Sequence, residues 1–239
     1  MKEFSLPDIW NNQTYKEFVN NLRKLKDEKY LEFNKRTINT NYEMIGIRVP
    51  LLRKIATNIK KTSIKNFLEV AVPKTYEEIF IYGIIISYIK DYKTFLKYFN
   101  SYLKLIDNWA ISDMVVSSFK IISKNKSDFE NKITKLLKSK NEYEVRVGII
   151  SLMYYYIEEE KLPDIFKYLN EITYEGYYVH MAIAWIISEI YVDYKNETLA
   201  YLKNNNLNKK TINKAIQKIR ESNRVSKEEK DYILKYKVK

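Results

Sequence analysis

The chain holds few side chains suited to catalysis, and the most suggestive of them fall in Asp107-Asn108-Trp109-Ala110-Ile111-Ser112-Asp113-Met114-Val115. Trp109 and Asp113 stand one helical turn apart. One offers an aromatic face that attracts cations, the other a carboxylate able to take a proton or offset positive charge. Asp107 or Asn108 can cap the helix, which the pattern predicts to run toward Ile122. At about 100° per residue, Ile111, Met114, Val115, Phe119 and Ile122 share one apolar stripe, while Trp109 and Asp113 lie about 40° apart on the opposite side. Both therefore project away from the main core stripe. The spacing fits a packing role equally, with Trp109 against the next helix and Asp113 bonded to a neighbouring backbone group.

Trp185 is the second candidate, in Met181-Ala182-Ile183-Ala184-Trp185-Ile186-Ile187-Ser188. Its helix is apolar all round, so core packing is the default expectation. Arg146 follows Glu142 by four residues, and an i,i+4 ion pair would account for it. Near the C-terminus Lys210, Lys214 and Lys218 recur at four-residue steps, with Lys209, Arg220 and Arg224 nearby. Like charges on one stripe repel unless an anion lies opposite, and a phosphate backbone would serve. A solvated face interspersed with Glu221, Glu228 and Glu229 is the plainer alternative.

Other chemistries are excluded. There is no cysteine, which removes disulfides, thiolate metal sites and cysteine nucleophiles. The single histidine, His180, disfavours histidine-rich metal sites and Ser-His-Asp arrangements. No Gly-rich phosphate loop, dinucleotide fingerprint, G-x-S-x-G elbow or H-E-x-x-H motif is present. No metal site and no cofactor are expected.

The elements that must carry these residues read as helices. Four glycines and four prolines in 239 residues are too few for a turn-rich β architecture. Apolar segments at helical spacing group in pairs: 49–71, 76–104, 109–138, 143–172, 177–203 and 209–235, with breaks at Pro73, Asp107-Asn108, Asn141, Glu175-Gly176 and Asn204-Asn205-Asn206. A period of roughly 34 residues with two helices per unit predicts an all-α chain, an α-α superhelix or solenoid of about six helix pairs, in one domain spanning 1–239. A non-repetitive helical bundle is the alternative. Segments apolar on nearly every side, Val145 to Ile157 and Val179 to Ile190, belong to the interior layer, and 209–221 has a polar face for solvent or ligand.

The formal net charge is +12. The basic ends flank a slightly acidic middle: 18 Lys+Arg against 11 Asp+Glu in 1–100, 12 against 15 in 101–200, and 12 against 4 in 201–239. That excess fits a polyanion partner and fits equally a coding bias toward Lys and Asn. The opening residues Met1 to Asp8 contain no stretch of signal-peptide type, and no apolar run is long enough to cross a bilayer. A soluble, cytoplasmic protein without membrane contact is expected.

Four blocks in order carry a family resemblance: Gly46-Ile47-Arg48-Val49-Pro50-Leu51-Leu52-Arg53-Lys54-Ile55-Ala56, the Asp107 to Asp113 segment, Tyr177-Tyr178-Val179-His180-Met181-Ala182-Ile183-Ala184-Trp185, and Lys214-Ala215-Ile216-Gln217-Lys218-Ile219-Arg220-Glu221-Ser222. From about Tyr30 onward the chain resembles the bacterial DNA alkylation-repair glycosylases of the AlkD type. The resemblance implies HEAT-like helix pairs around a basic DNA-binding surface. It further implies excision of cationic alkylpurines, N3-methyladenine and N7-methylguanine, from duplex DNA without base flipping, by a monomer that is nucleoid-associated when acting. Asp113, Trp109 and Trp185 take the catalytic positions, and Arg146 the place of a backbone-contacting arginine. Lys210, Lys214, Lys218 and Arg220 are the candidate DNA contacts. Beyond Trp185 the resemblance implies a more basic helix, whereas this chain has Ser188-Glu189. Two readings compete: a non-catalytic DNA-binding paralogue recognising branched or damaged DNA, and a helical protein-interaction scaffold.

Overall fold

A computed structural model describes residues 6–239; Met1 to Ser5, part of the segment read above for a leader, lie outside the described residues. The described residues contain fourteen α-helices and no strand. They divide into two compact units, with the boundary between Lys124 and Asn125.

The first unit carries α1 (Asn12–Arg23), α2 (Glu28–Thr37), α3 (Val49–Ile59), α4 (Ile64–Val70), α5 (Tyr76–Ile86), α6 (Tyr92–Leu103) and α7 (Trp109–Val116). The second carries α8 (Lys126–Leu137), α9 (Glu142–Tyr155), α10 (Leu162–Glu171), α11 (Tyr177–Asp193), α12 (Lys195–Lys203), α13 (Lys209–Glu221) and α14 (Lys227–Tyr232). Every predicted break falls between helices, and each of the six predicted segments holds two helices, from α3 and α4 to α13 and α14; the third segment runs over the unit boundary, with α7 in the first unit and α8 in the second. A seventh pair, α1/α2, precedes them. Its two helices bury only five residues between them, Tyr15, Phe18, Leu22, Leu31 and Asn34.

Within the first unit α3, α5 and α7 pack in succession, and within the second α9, α11 and α13 do the same. These rows form the interior. Every residue of α5 is buried, as is α9 from Val145 to Met153. Helices buried on all sides cannot be held by an amphipathic face, so local devices fix their register. Gly83 is one: a Cβ there would meet the Tyr102 ring and lie 2.6 Å from Val115 Cγ1, so its absence lets α5 close on α6 and α7.

Glu77 is another. This fully buried carboxylate accepts the backbone N–H groups of Ile45 (2.8 Å), Gly46 (2.7 Å) and Ile47 (3.2 Å). Gly46 has φ +95°, and a Cβ at that position would lie 2.7 Å from Leu31 Cβ. The Gly46-Ile47-Arg48 stretch is thus a turn pinned by Glu77 before α3 starts at Val49, with Pro50 in its first turn.

Candidate active site

In the first unit the candidate residues lie on α7. Asn108 caps this helix, its side chain accepting the Ile111 N–H at 2.9 Å. Asp107 has a different task. Its carboxylate accepts the Thr40 hydroxyl (2.8 Å) and the Asn41 N–H (2.6 Å), tying the chain after α2 to the start of α7. Trp109, half-buried, reinforces that tie: its indole N–H donates to the Thr37 carbonyl at 3.0 Å, a group at the end of α2. The ring is therefore anchored by its edge, not embedded in the core.

Asp113 lies one turn on and is buried, with 6% exposure. Its Oδ1 accepts the Ser112 hydroxyl at 2.8 Å. The predicted helix to Ile122 also stops short, at Val116. Ser117 and Ser118 both turn their hydroxyls back to the Met114 carbonyl, and the backbone tightens into i→i−3 bonds from Ser118 and Phe119. Arg53 of α3 completes this end, donating to the Met114 carbonyl at 2.8 Å and to Ser118 Oγ at 3.1 Å while its guanidinium lies over Phe80. The carbonyl next to Asp113 in the chain is thus gripped by a charged donor.

In the second unit Trp185 stands on α11. The expectation of core packing is met only in part: Met181, Trp185 and Glu189, spaced by four, form a half-buried stripe, while the other residues from Ala182 to Tyr191 are buried. The Trp185 indole N–H donates to Glu189 Oε1 at 3.1 Å, and Glu189 Oε2 accepts from Arg224. Neither Glu189 nor Arg224 stood out as a site residue. The four-residue step from Trp185 to Glu189 was the available signal.

Arg146 is 5% exposed and donates to the Tyr178 carbonyl. The expected partner, Glu142, has its carboxylate at the Tyr178 N–H, 2.7 Å away. Arg146 and Glu142 thus hold the two polar groups of one residue in the first turn of α11. Glu142 thereby supplies the acceptor that Gly176, at the N-cap without a side chain, cannot; a Cβ there would lie 2.8 Å from the Glu142 carboxyl carbon.

Lys210, Lys214 and Arg220 line an open groove of about 630 Å³ along α13, together with Lys209 and Lys237. Its lining contains no carboxylate, and Ile216 and Leu234 give it an apolar floor. Lys218 lies outside that lining. The buried face of α13 packs through Thr211, Ile212, Ala215 and Ile219, with Ile216 at its border with the groove. Asn213 accepts the Val238 N–H and donates to the Val238 carbonyl, both at 3.0 Å, which fixes Lys237 beside the groove.

Among the described residues no group of three or more His, Asp and Glu side chains could hold a metal ion, and no helix is long and apolar enough to cross a membrane.

Helices packed in succession within each unit, without a strand among the described residues, define an all-α protein of solenoid-like packing. The chain matches the family model described as DNA alkylation repair enzyme over residues 18–219, and it belongs to that family. Its role is in the repair of alkylated DNA, with DNA as substrate. No curated protein matches the chain.

Proposed function

We propose that the protein is a monofunctional DNA glycosylase that hydrolyses the N-glycosidic bond of cationic N3- and N7-alkylated purines in duplex DNA. The observation that carries this reading is Asp113 beside Trp109 on α7 in a member of the DNA alkylation repair family. Alkylation at N3 or N7 gives the base a positive charge and makes it a good leaving group. The bond from C1′ to the base nitrogen breaks with its electron pair going to the base, which leaves neutral, so no strong general acid is required. One histidine in the chain is then no handicap.

Positive charge develops on the deoxyribose as the bond lengthens. Asp113 offsets that charge and orients the water that adds at C1′, whose proton passes to the carboxylate or to solvent. The faces of Trp109 and Trp185 add cation–π attraction, worth about 0.5 to 2 kcal/mol each. Because sugar and backbone are the groups addressed, the base stays stacked and no base pocket is needed. Lesion choice then follows mainly from the charge and lability of the lesion itself.

Lys210, Lys214 and Arg220 supply phosphate contacts from the α13 groove, Lys218 a further one from outside it, and Arg146 another. The protein acts as a cytoplasmic monomer. Release of N7-methylguanine and N3-methyladenine from methylated duplex DNA, corrected for spontaneous depurination, tests the reading. Release above the control is expected. No release by folded protein that still binds duplex would instead assign a non-catalytic DNA-binding role.

A further inference from the structure

The second unit contains a three-residue chain of contacts that binding to phosphate does not explain. On α11 the Trp185 indole N–H donates to Glu189 Oε1 at 3.1 Å, and the other oxygen of that carboxylate takes a guanidinium N–H of Arg224. Arg224 comes from the turn after α13. There its backbone N–H is held by Ser222 Oγ at 3.2 Å, and the next residue, Val225, is buried. The turn after α13 thus braces a carboxylate of α11 whose other partner is an indole of the same helix.

Stability is a poor explanation for this arrangement. The Glu189 and Arg224 side chains keep 31% and 53% of their exposure, and ion pairs so exposed contribute little. Nor does a carboxylate help a helix meet DNA, since it repels phosphate. What the pair does fix is the ring. An indole on a half-exposed stripe can adopt several rotamers, and a hydrogen bond from Nε1 to a braced acceptor selects one plane. A carboxylate at the N–H edge also leaves the ring face richer in electron density, while Arg224 cancels its charge toward the surroundings.

We infer that Glu189, braced by Arg224, is a positioning residue that sets the indole plane of Trp185 toward the cationic sugar. This rests on the glycosylase reading above and on the use of Trp185 in it. The Ser188-Glu189 sequence, less basic than the resemblance implies, then serves the reaction instead of DNA affinity.

The chain has three tryptophans, so its indole N–H resonances are few, and Trp185→Phe identifies the one at issue. Glu189→Ala shifts the Trp185 resonance, and Arg224→Ala, at an exposed turn that tolerates change, shifts it less although Arg224 does not touch the ring. Glu189→Ala lowers single-turnover excision about tenfold, the scale of a misplaced cation–π contact, with duplex affinity within about threefold of wild type. In a Trp185→Phe background Glu189→Ala adds nothing further, because both act through one ring. An unmoved Trp185 resonance in Glu189→Ala, or an equal loss of excision in both backgrounds, overturns the inference while leaving the glycosylase reading intact. Full excision by Trp185→Phe removes Trp185 from the reaction and the inference with it. Absence of excision by wild-type protein is the separate result that defeats the glycosylase reading.

Discussion

Glu77 gives the most quantitative test of how the first unit is held together. Its carboxylate accepts three backbone N–H groups, from Ile45, Gly46 and Ile47, none of which faces water. Glu77→Gln leaves a single acceptor oxygen and turns an amide NH2 toward N–H donors, so at least one donor loses its partner. An unsatisfied buried donor costs about 1 to 3 kcal/mol. Glu77→Gln should therefore lose about 1 to 3 kcal/mol, a sizeable share of the roughly 5 to 15 kcal/mol of a whole domain.

The loss carries a pH signature. Burial pushes the Glu77 carboxyl above the usual range, against the opposing pull of the three N–H bonds. A carboxyl raised in the folded state stabilises most below its ordinary pKa, and that contribution is lost as pH rises through the folded value. The advantage of wild type over Glu77→Gln should accordingly be largest at mildly acidic pH and shrink toward neutrality. Urea denaturation followed by helical circular dichroism between pH 5 and 8 measures both effects. Equal stability of the two proteins, or an advantage that grows with pH, would refute the account of the Gly46 turn.

Three further outcomes follow from the geometry. Gly83→Ala places a methyl group against Tyr102 and Val115 in a fully packed interior and should cost about 1 to 3 kcal/mol, read as a lowered denaturation midpoint with unchanged slope. Arg53→Met keeps much of the stem that packs near Phe80 but frees the Met114 carbonyl; excision should fall together with about 1 to 3 kcal/mol of stability, and duplex affinity should not change. Replacing Lys210, Lys214 and Arg220 together by alanine should weaken duplex binding and flatten the log–log salt dependence by about 2 to 3, near 0.9 for each phosphate no longer neutralised; an unchanged slope would remove the α13 groove from the DNA interface.

The helix pairs from α3 onward could be read in advance because their breaks are chemical: Pro73, Asn141, Gly176 and the asparagines at 204–206 all interrupt strong apolar periodicity. The pair α1/α2 could not, since its polar helices present too few apolar residues for a clear stripe. The overrun of α7 has a local cause. Periodicity continues through Phe119, but two consecutive serines compete for the Met114 carbonyl and end the helix.

At the site, spacing marks Asp113, Trp109 and the lysines of α13 as candidates without separating a site role from a packing or solvated one, and it does not mark the residues that hold them. Glu77 follows Thr75 in a first turn where acidic residues are ordinary, and it is Glu78 that completes the capping box. Nothing local marks Glu77 as the buried anchor of a turn 30 residues earlier. The four-residue step pairs Glu142 with Arg146 but does not show that both reach Tyr178, more than 30 residues on, where Glu142 supplies the acceptor that Gly176 cannot. Short-range spacing reports which face a residue occupies. It does not report what a neighbouring helix lacks.

The decisive comparison is single-turnover release of N7-methylguanine from duplex DNA by wild type and Asp113→Asn, at protein concentrations that saturate the DNA in both. Asparagine keeps the shape and removes the charge, so duplex binding should stay within a few-fold while release falls to the spontaneous rate. Release by Asp113→Asn at the wild-type rate would contradict the mechanism, because the charge on the sugar would then be stabilised without the only acidic side chain on α7.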